Sequence, residues 1–166
     1  MIDIEFTSAF QGVPHASVVL VDQGLGHSAA LSAEQKKLID YMAQQDFKAK
    51  YLYWRSSGLE VDNSLLYLAA LGLGKAEDIT AIKLQDLGGK IFAQSRCVKF
   101  AEKFSVYTHA FGEFDDAQIA AEVAYGAMLA SYKFEQYKTT KTPEEEDKVE
   151  FKGIHIHILH AVRWLK

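Results

Sequence analysis

The sequence of 166 residues is poor in cysteine, proline and long apolar runs. A single cysteine, Cys97, excludes a disulfide within the chain and is typical of a reducing compartment. No apolar stretch approaches the ~20 residues that a membrane-spanning helix needs. Basic residues are also in deficit, and the formal net charge of −4 gives no reason to expect nucleic-acid binding. Residues 1–6 lack the basic start and apolar core of a signal peptide. These deficits predict an unprocessed cytoplasmic protein without a membrane partner.

Strand-like and helix-like segments alternate along the chain. The predicted strands are residues 2–6, 17–22, 51–55, 64–71, 104–109 and 153–160. Two helices are predicted from the capping-box pairs Ser32/Gln35 and Asp115/Gln118, and another begins after Thr80. The length suits one domain, and neither a linker nor a repeat divides it. We therefore predict a single α/β domain over residues 1–166, with three layers (α/β/α) around a mixed central sheet.

Small residues occur inside the second and third predicted helices. Gly88 and Gly89 lie within the helix that follows Thr80, where each costs about 1 kcal/mol relative to alanine. Ala124 and Gly126 keep the third helix thin. Close packing of both helices against the sheet would compensate for the glycines, so we expect that packing.

The third helix runs into an aromatic and basic segment. Residues 132–138 read Tyr-Lys-Phe-Glu-Gln-Tyr-Lys, with Lys133 and Lys138 near the negative end of the helix dipole. The segment resembles the Tyr-Arg-Phe-Asp-Arg-Tyr-Lys run that closes the N-terminal domain of the leucyl (cytosol) aminopeptidase family. The aromatic residues and the final lysine match. Lys133, Glu135 and Gln136 differ from the family's Arg, Asp and Arg.

A second segment carries the same resemblance. Residues 71–75, Leu-Gly-Leu-Gly-Lys, look like the family's Val-Gly-Leu-Gly-Lys turn, and the acidic pair Glu77 and Asp78 follows before the long helix. Two motifs in the family's order are much harder to obtain by chance than either one. The resemblance extends over nearly the whole chain and implies the fold of the family's N-terminal domain, which is similar to macro domains.

The resemblance also implies a function. Enzymes of this family hydrolyse N-terminal peptide bonds with two divalent metals, zinc or manganese, held by a C-terminal domain that includes an Asn-Thr-Asp-Ala-Glu-Gly segment. Two-metal hydrolysis needs several converging carboxylates, and this sequence contains neither that segment nor another ligand set. We therefore expect no catalytic, cofactor-binding or metal-binding residue in this chain. Its implied partners are its own C-terminal catalytic domain and further copies in a hexamer, and its implied role is assembly and shaping of active-site access.

The main alternative is a macro-type module that binds a nucleotide or ADP-ribose at the carboxyl ends of the strands. The glycine turn at residues 71–75 is the place where backbone N–H groups would hold a phosphate. It lacks the remainder of a P-loop or dinucleotide fingerprint. A turn that needs glycine conformations is therefore the favoured interpretation.

Three further features resemble sites less closely. His155 and His157 would share one face of the last strand and His160 the other, so solvated or helix-covered histidines are favoured over a two-histidine metal site. Cys97, inside the predicted second helix, is expected to be a buried, inert thiol. A modest basic cluster is formed by Lys133, Lys138 and Lys141, but the net charge of the chain is negative. DNA binding is therefore not expected.

Overall fold

A computed structural model of the chain describes residues 2–8, 15–98, 101–137 and 151–157, and only the backbone of 134–137. Strands and helices alternate through these ranges, as predicted. The strands are β1 (Asp3–Thr7), β2 (Ala16–Asp22), β3 (Trp54–Val61), β4 (Ser64–Gly74), β5 (Lys103–Tyr107) and β6 (Gly153–His157). The helices are α1 (Ala33–Gln44), α2 (Ala81–Ser95) and α3 (Asp116–Tyr137), with a short 3-10 turn at Ala76–Asp78.

The strands form one mixed sheet in the order β1-β6-β5-β2-β4-β3. All neighbouring pairs are parallel except β3 and β4, which form an antiparallel hairpin. The hairpin turns at Asp62 and Asn63, whose φ angles of 49° and 60° are left-handed. Two consecutive left-handed residues match the right-handed twist of the flanking strands, which is the usual geometry of a two-residue hairpin loop.

Helices cover both faces of the sheet, which confirms the predicted three-layer α/β/α arrangement. α2 and α3 lie on one face, and α1 lies on the other. Alternate residues of β2 point into the two cores, with Val18 and Leu20 on the first face and Val19 and Val21 on the second. All four side chains are fully buried, as expected from an apolar run without alternation.

Both predicted capping boxes are present. Ser32 caps α1 by accepting the Gln35 N–H, while the Gln35 side chain accepts the Ser32 N–H at 2.9 Å. Asp115 and Gln118 make the same reciprocal bonds at the start of α3, at 2.7 and 2.9 Å. The Gln35 amide nitrogen also lies 3.1 Å from the Ser17 hydroxyl, and this contact fixes α1 to β2.

The close packing predicted for the glycines occurs between the two helices rather than against the sheet. A Cβ added to Gly88 would lie 2.0 Å from the backbone oxygen of Val123 in α3. A Cβ added to Gly126 would lie 1.9 Å from the backbone oxygen of Gln85 in α2. Two glycines therefore let α2 and α3 touch backbone to backbone. Gly89 is different, because its nearest neighbour would be the Ala130 side chain at 3.9 Å.

Several predicted boundaries are wrong. β3 begins at Trp54 rather than at residue 51, because the chain turns through Leu52 at a φ of 62°. β4 continues beyond residue 71 to Gly74, and α2 ends at Ser95. The predicted last strand is described as far as His157. Residues 158–160, the acidic loop 139–147 and Lys138, which ends the aromatic and basic segment, lie outside the described residues.

Candidate functional site

The carboxyl edge of the sheet contains a point where two neighbouring strands lead to opposite faces. The connection after β2 leads to α1, whereas the connection after β5 leads to α3 on the other side. Open α/β sheets place their ligands in the crevice that such a divergence creates. Asp22 ends β2, and His109 follows β5 by two residues. These two side chains are the candidate site residues of the domain.

Asp22 and His109 contact each other across this point. The Asp22 Oδ2 lies 3.2 Å from the His109 Nε2, and the Asp22 Oδ1 accepts the Gly26 N–H at 2.9 Å. The two side chains are 20% and 15% exposed, so water reaches the pair only partly. A Cβ added to Gly26 would lie 2.4 Å from the Asp22 Oδ2, so a side chain at this position would displace the carboxylate. The Nδ1 of His109 is buried and has no hydrogen-bond partner in the described part of the chain.

Thr108 joins β6 to the first turn of α3 beside this pair. Its hydroxyl contacts the Asp116 carboxylate and lies 3.0 Å from the backbone oxygen of His157. Asp116 is buried and is the first residue of α3, where the helix dipole favours a negative charge. The contacts bind together three elements at the carboxyl edge.

The glycine turn at residues 71–75 is occupied by the chain itself. The Gly72 N–H donates to the Tyr53 oxygen at 2.9 Å, and the Gly74 N–H donates to the Ala49 oxygen at 3.1 Å. Gly74 has a φ of 75°, and a Cβ on Gly72 would lie 2.0 Å from the Lys50 oxygen. Residues 71–74 continue β4 instead of forming a turn, but the prediction that glycine is needed here is confirmed at Gly72 and Gly74. Since these two N–H groups are used by the backbone, the turn is a poor phosphate cradle.

The described histidines of β6 contact side chains of the neighbouring strands. His155 and His157 share one face, as predicted, while Ile154 and Ile156 point into the opposite core. The Nε2 of His155 lies 3.1 Å from a carboxylate oxygen of Glu5 in β1. His157 is buried and stacks on Tyr107, with 5.7 Å between ring centroids. His160 is outside the described residues. Among those described, no three His, Cys, Asp or Glu side chains converge as metal ligands.

The predicted burial of Cys97 is wrong. The residue follows the end of α2 instead of lying inside it, and its side chain is exposed. Its Sγ lies 3.3 Å from the Ala93 oxygen, one turn back along the helix. The prediction failed because it extended the apolar stripe of α2 beyond Ser95.

Tyr51 connects a loop to α2 and Tyr107 connects β5 to α1, and both have raised pKa values. The Tyr51 hydroxyl lies 3.1 Å from the Lys83 oxygen and 3.2 Å from the Asp86 Oδ2. Burial, followed by the nearby Asp86 carboxylate, raises the pKa of Tyr51 to about 12. Burial also raises the pKa of Tyr107, against a smaller lowering effect of its hydrogen bond with Gln35. Both phenols therefore keep their protons at ordinary pH; the Tyr51 hydroxyl donates its hydrogen bonds, whereas the Tyr107 hydroxyl accepts one from the Gln35 amide.

The pairing of Asp22 with His109 was not predicted from the sequence. The two residues are 87 positions apart, although each follows or ends a strand that was predicted. The carboxyl ends of parallel strands meet at one edge of a sheet, and this rule could have brought the two residues together. It applies only when β2 and β5 are known to be neighbours.

Comparison with known proteins identifies the family. Residues 18–141 match the N-terminal domain of the cytosol aminopeptidase family. The chain belongs to this family. The cytosol aminopeptidase of Rickettsia prowazekii is 28% identical over 156 residues, and the probable cytosol aminopeptidase of Rickettsia felis is 30% identical over 161 residues. Each match covers 90% of this chain and 31% of the relative, so the chain spans less than a third of the relatives' length.

Solved structures share the fold of this cytosol aminopeptidase domain. A mutant of tomato leucine aminopeptidase has a similar fold, with a TM-score of 0.59 and 15% identity. The match covers 96% of this chain and 33% of the tomato chain. The bottromycin maturation enzyme BotP is also similar, with a TM-score of 0.54 and 19% identity. The match covers 86% of this chain and 27% of the BotP chain. Within the described ranges, no helix has the length and apolar character to cross a bilayer.

Proposed function

We propose that this domain is the non-catalytic N-terminal part of a cytoplasmic leucyl-aminopeptidase-like enzyme that removes N-terminal amino acids from peptides. The observation that carries the proposal is the match of residues 18–141 to the N-terminal domain of a family whose members are about three times longer. Two divalent metals, zinc or manganese, would be bound by the C-terminal catalytic domain. This chain would contribute to assembly and to the shape of the entrance to the active site.

The partners in this proposal are the catalytic domain of the same polypeptide and other copies in a hexamer. The polar groups at the carboxyl edge support a structural role, because the main ones described there bind one another. Asp22 bonds to Gly26 and His109, and Thr108 contacts Asp116. A macro-like arrangement of strands and helices would serve here as a scaffold.

An activity assay tests the proposal directly. The purified 166-residue chain is incubated with leucine p-nitroanilide and Mn²⁺ or Zn²⁺, and the cytosol aminopeptidase of Rickettsia prowazekii is assayed beside it. We expect turnover by the relative and none by the chain alone. Robust turnover by the chain would contradict the proposal, since its own side chains would then have to supply the metal ligands.

Calorimetry with ADP-ribose separates this function from the macro-type module. The Gly72 and Gly74 N–H groups already donate to backbone oxygens, so neither glycine donor is available to a phosphate. We therefore expect no saturable heat. Binding in the micromolar range would favour the nucleotide-binding module instead.

A further inference from the structure

A small groove lies at the amino edge of the sheet, opposite to Asp22 and His109. It lies between the first turn of α1 and the tip of the β3–β4 hairpin, and it has a volume of about 230 Å³. Val61, Leu65 and Leu66 form its apolar wall, and Leu65 is 51% exposed. The volume is below the roughly 300–1,000 Å³ of pockets for drug-sized ligands. By its own volume the groove suits a group of the size of one amino-acid side chain.

The charge of the groove has one sign. Glu34 comes from α1 and Asp62 from the hairpin turn, and neither carboxylate has an ion-pair partner in the described part of the chain. Among the described residues that line it there is no lysine or arginine, and of these only His15 can carry a positive charge.

The adjoining surface has charges that neutralise one another. A wider hollow of about 530 Å³ continues from the groove past Glu102 and Lys103. Glu102 pairs with Lys152 at 3.1 Å, and Lys103 lies 3.7 Å from Glu5. Unpaired negative charge is thus confined to the small apolar end, where a cation with an aliphatic body would meet complementary groups.

We infer that the groove binds the ammonium group of a small aliphatic amine, with the aliphatic part on Leu65 and the cation between Glu34 and Asp62. Two natural sources share this chemistry, namely the N-terminal residue of a peptide and the side chain of a lysine. The inference goes beyond the proposed function, because it requires no catalytic domain and no metal.

The test uses nuclear magnetic resonance on the 166-residue chain with isoamylamine, and isoamyl alcohol is the uncharged match at the same concentrations and pH. We expect the amine to shift the amide signals of Ser64, Leu65 and Leu66 in a saturable way, and the alcohol to bind at least fivefold more weakly. Equal shifts from the two compounds, or none from the amine at 50 mM (about the upper limit of a useful titration), would overturn the inference.

Variants assign the binding to named side chains. Glu34→Gln and Asp62→Asn are each expected to weaken amine binding by up to about fivefold, as for exposed ion pairs. The Asp62→Asn change keeps a residue that tolerates a left-handed φ. Asp46→Asn is the matched control, because Asp46 has a φ of 67° and lies outside the groove. An unchanged affinity in the Glu34→Gln/Asp62→Asn double variant would refute the assignment.

A variant of the apolar wall and a second pair of probes complete the test. Leu65→Ala should weaken binding by at least about fourfold, the equivalent of one buried methylene. Leucinamide and Nα-acetyl-lysinamide then distinguish the two sources at pH 6.5. Tighter binding of leucinamide indicates a peptide N-terminus, and tighter binding of the lysine compound indicates a lysine side chain. Failure of both compounds to shift the groove signals would contradict the inference.

Discussion

Gly126 in α3 is in backbone contact with Gln85 in α2, at a distance that excludes any side chain on the glycine. A Cβ at this position would be 1.9 Å from the Gln85 oxygen. The Gln85 side chain donates to a carboxylate oxygen of Glu122 at 2.7 Å, one turn before Gly126. The two helices are thus held both by close approach and by a side-chain hydrogen bond. Their separation is determined by glycine rather than by interlocking apolar side chains.

Gly126→Ala should lower the free energy of unfolding by about 2 kcal/mol, because the helices must separate to admit the methyl group. The higher helix propensity of alanine recovers only part of that cost. Gly88→Ala should behave in the same way, since its Cβ would meet the Val123 oxygen at 2.0 Å. Urea unfolding followed by circular dichroism measures both changes.

Gly89→Ala is the matched control for these substitutions. Gly89 lies in α2 beside Gly88, but its Cβ would meet only the Ala130 side chain at 3.9 Å. Alanine should therefore stabilise the protein by about 0.5–1 kcal/mol through helix propensity alone. Equal effects of alanine at positions 88 and 89 would show that helix contact does not decide the outcome.

Asp22→Ala should destabilise the domain and release the loop that follows β2. The substitution removes the bond to the Gly26 N–H and the contact with His109. Hydrogen bonds to charged groups contribute about 1.5–3 kcal/mol, which corresponds to a fall in Tm of roughly 3–10 °C for a chain of this size. Calorimetry measures the Tm. The rate of hydrogen exchange at the Gly26 amide measures how far the loop is released, and this rate should rise.

Asp40→Ala on the exposed face of α1 provides the comparison for Asp22. A surface substitution of this kind should change the free energy of unfolding by no more than about 0.5 kcal/mol. If exchange at the Gly26 amide stayed unchanged in the Asp22→Ala variant, the carboxylate would not be what holds the loop.

Tyr51 should make stability depend on pH in the alkaline range. Its pKa rises from 10.0 to about 12 in the folded protein, so the folded state holds the phenolic proton more tightly than the unfolded state. The resulting stabilisation is fully present below pH 10 and is lost as the pH rises towards 12. The difference in the free energy of unfolding between wild type and Tyr51→Phe should therefore shrink from pH 9 to pH 12.

Urea unfolding at several alkaline pH values measures that difference. Tyr41→Phe serves as the control, because Tyr41 is exposed on α1 and has no carboxylate partner among the described residues. Its difference from wild type should stay constant over the same range. A constant difference for Tyr51→Phe as well would show that folding does not raise the pKa of the Tyr51 phenol.

Asn63 should respond to substitution through its backbone angle. At a φ of 60°, glycine is favoured and a β-branched residue is strained. Asn63→Gly should raise the free energy of unfolding by several tenths of a kcal/mol, and Asn63→Val should lower it by about 1–2 kcal/mol. Ser56→Val, at an exposed position of β3, should be neutral or slightly stabilising. If Ser56→Val lowered the free energy of unfolding as much as Asn63→Val, the left-handed backbone angle of Asn63 would not be the cause of the destabilisation.

The sequence was most informative where one segment determines its own structure. The continuous apolar run of β2 predicts burial on both faces, and each capping box is a local pattern of four residues. The β3–β4 hairpin was harder, because Trp54–Val61 is an edge strand without an apolar run, and it forms by pairing with β4. The dipeptide Asp62-Asn63 was its local signal, since both residues tolerate left-handed angles.

Contacts between distant segments could not be predicted from local patterns. The sequence indicates that Gly88 and Gly126 need a close neighbour, but only the sheet order brings α2 beside α3. The link between Asp22 and His109 likewise depends on β2 and β5 being neighbours. The exposure of Cys97 depends on where α2 ends, and helix ends are the least certain feature of an amphipathic pattern.

The position of β1 has a consequence for synthesis of the domain. β1 lies at one edge of the sheet, where it pairs with β6 from Asp3↔Gly153 to Thr7↔His157. A ribosome that adds about 5–20 residues per second needs on the order of ten seconds to make the chain between those strands. Throughout that interval β6 does not yet exist, so the backbone N–H and C=O groups of β1 cannot form their sheet hydrogen bonds. The nascent N-terminus therefore stays unpaired, or is bound by a chaperone, until β6 is made.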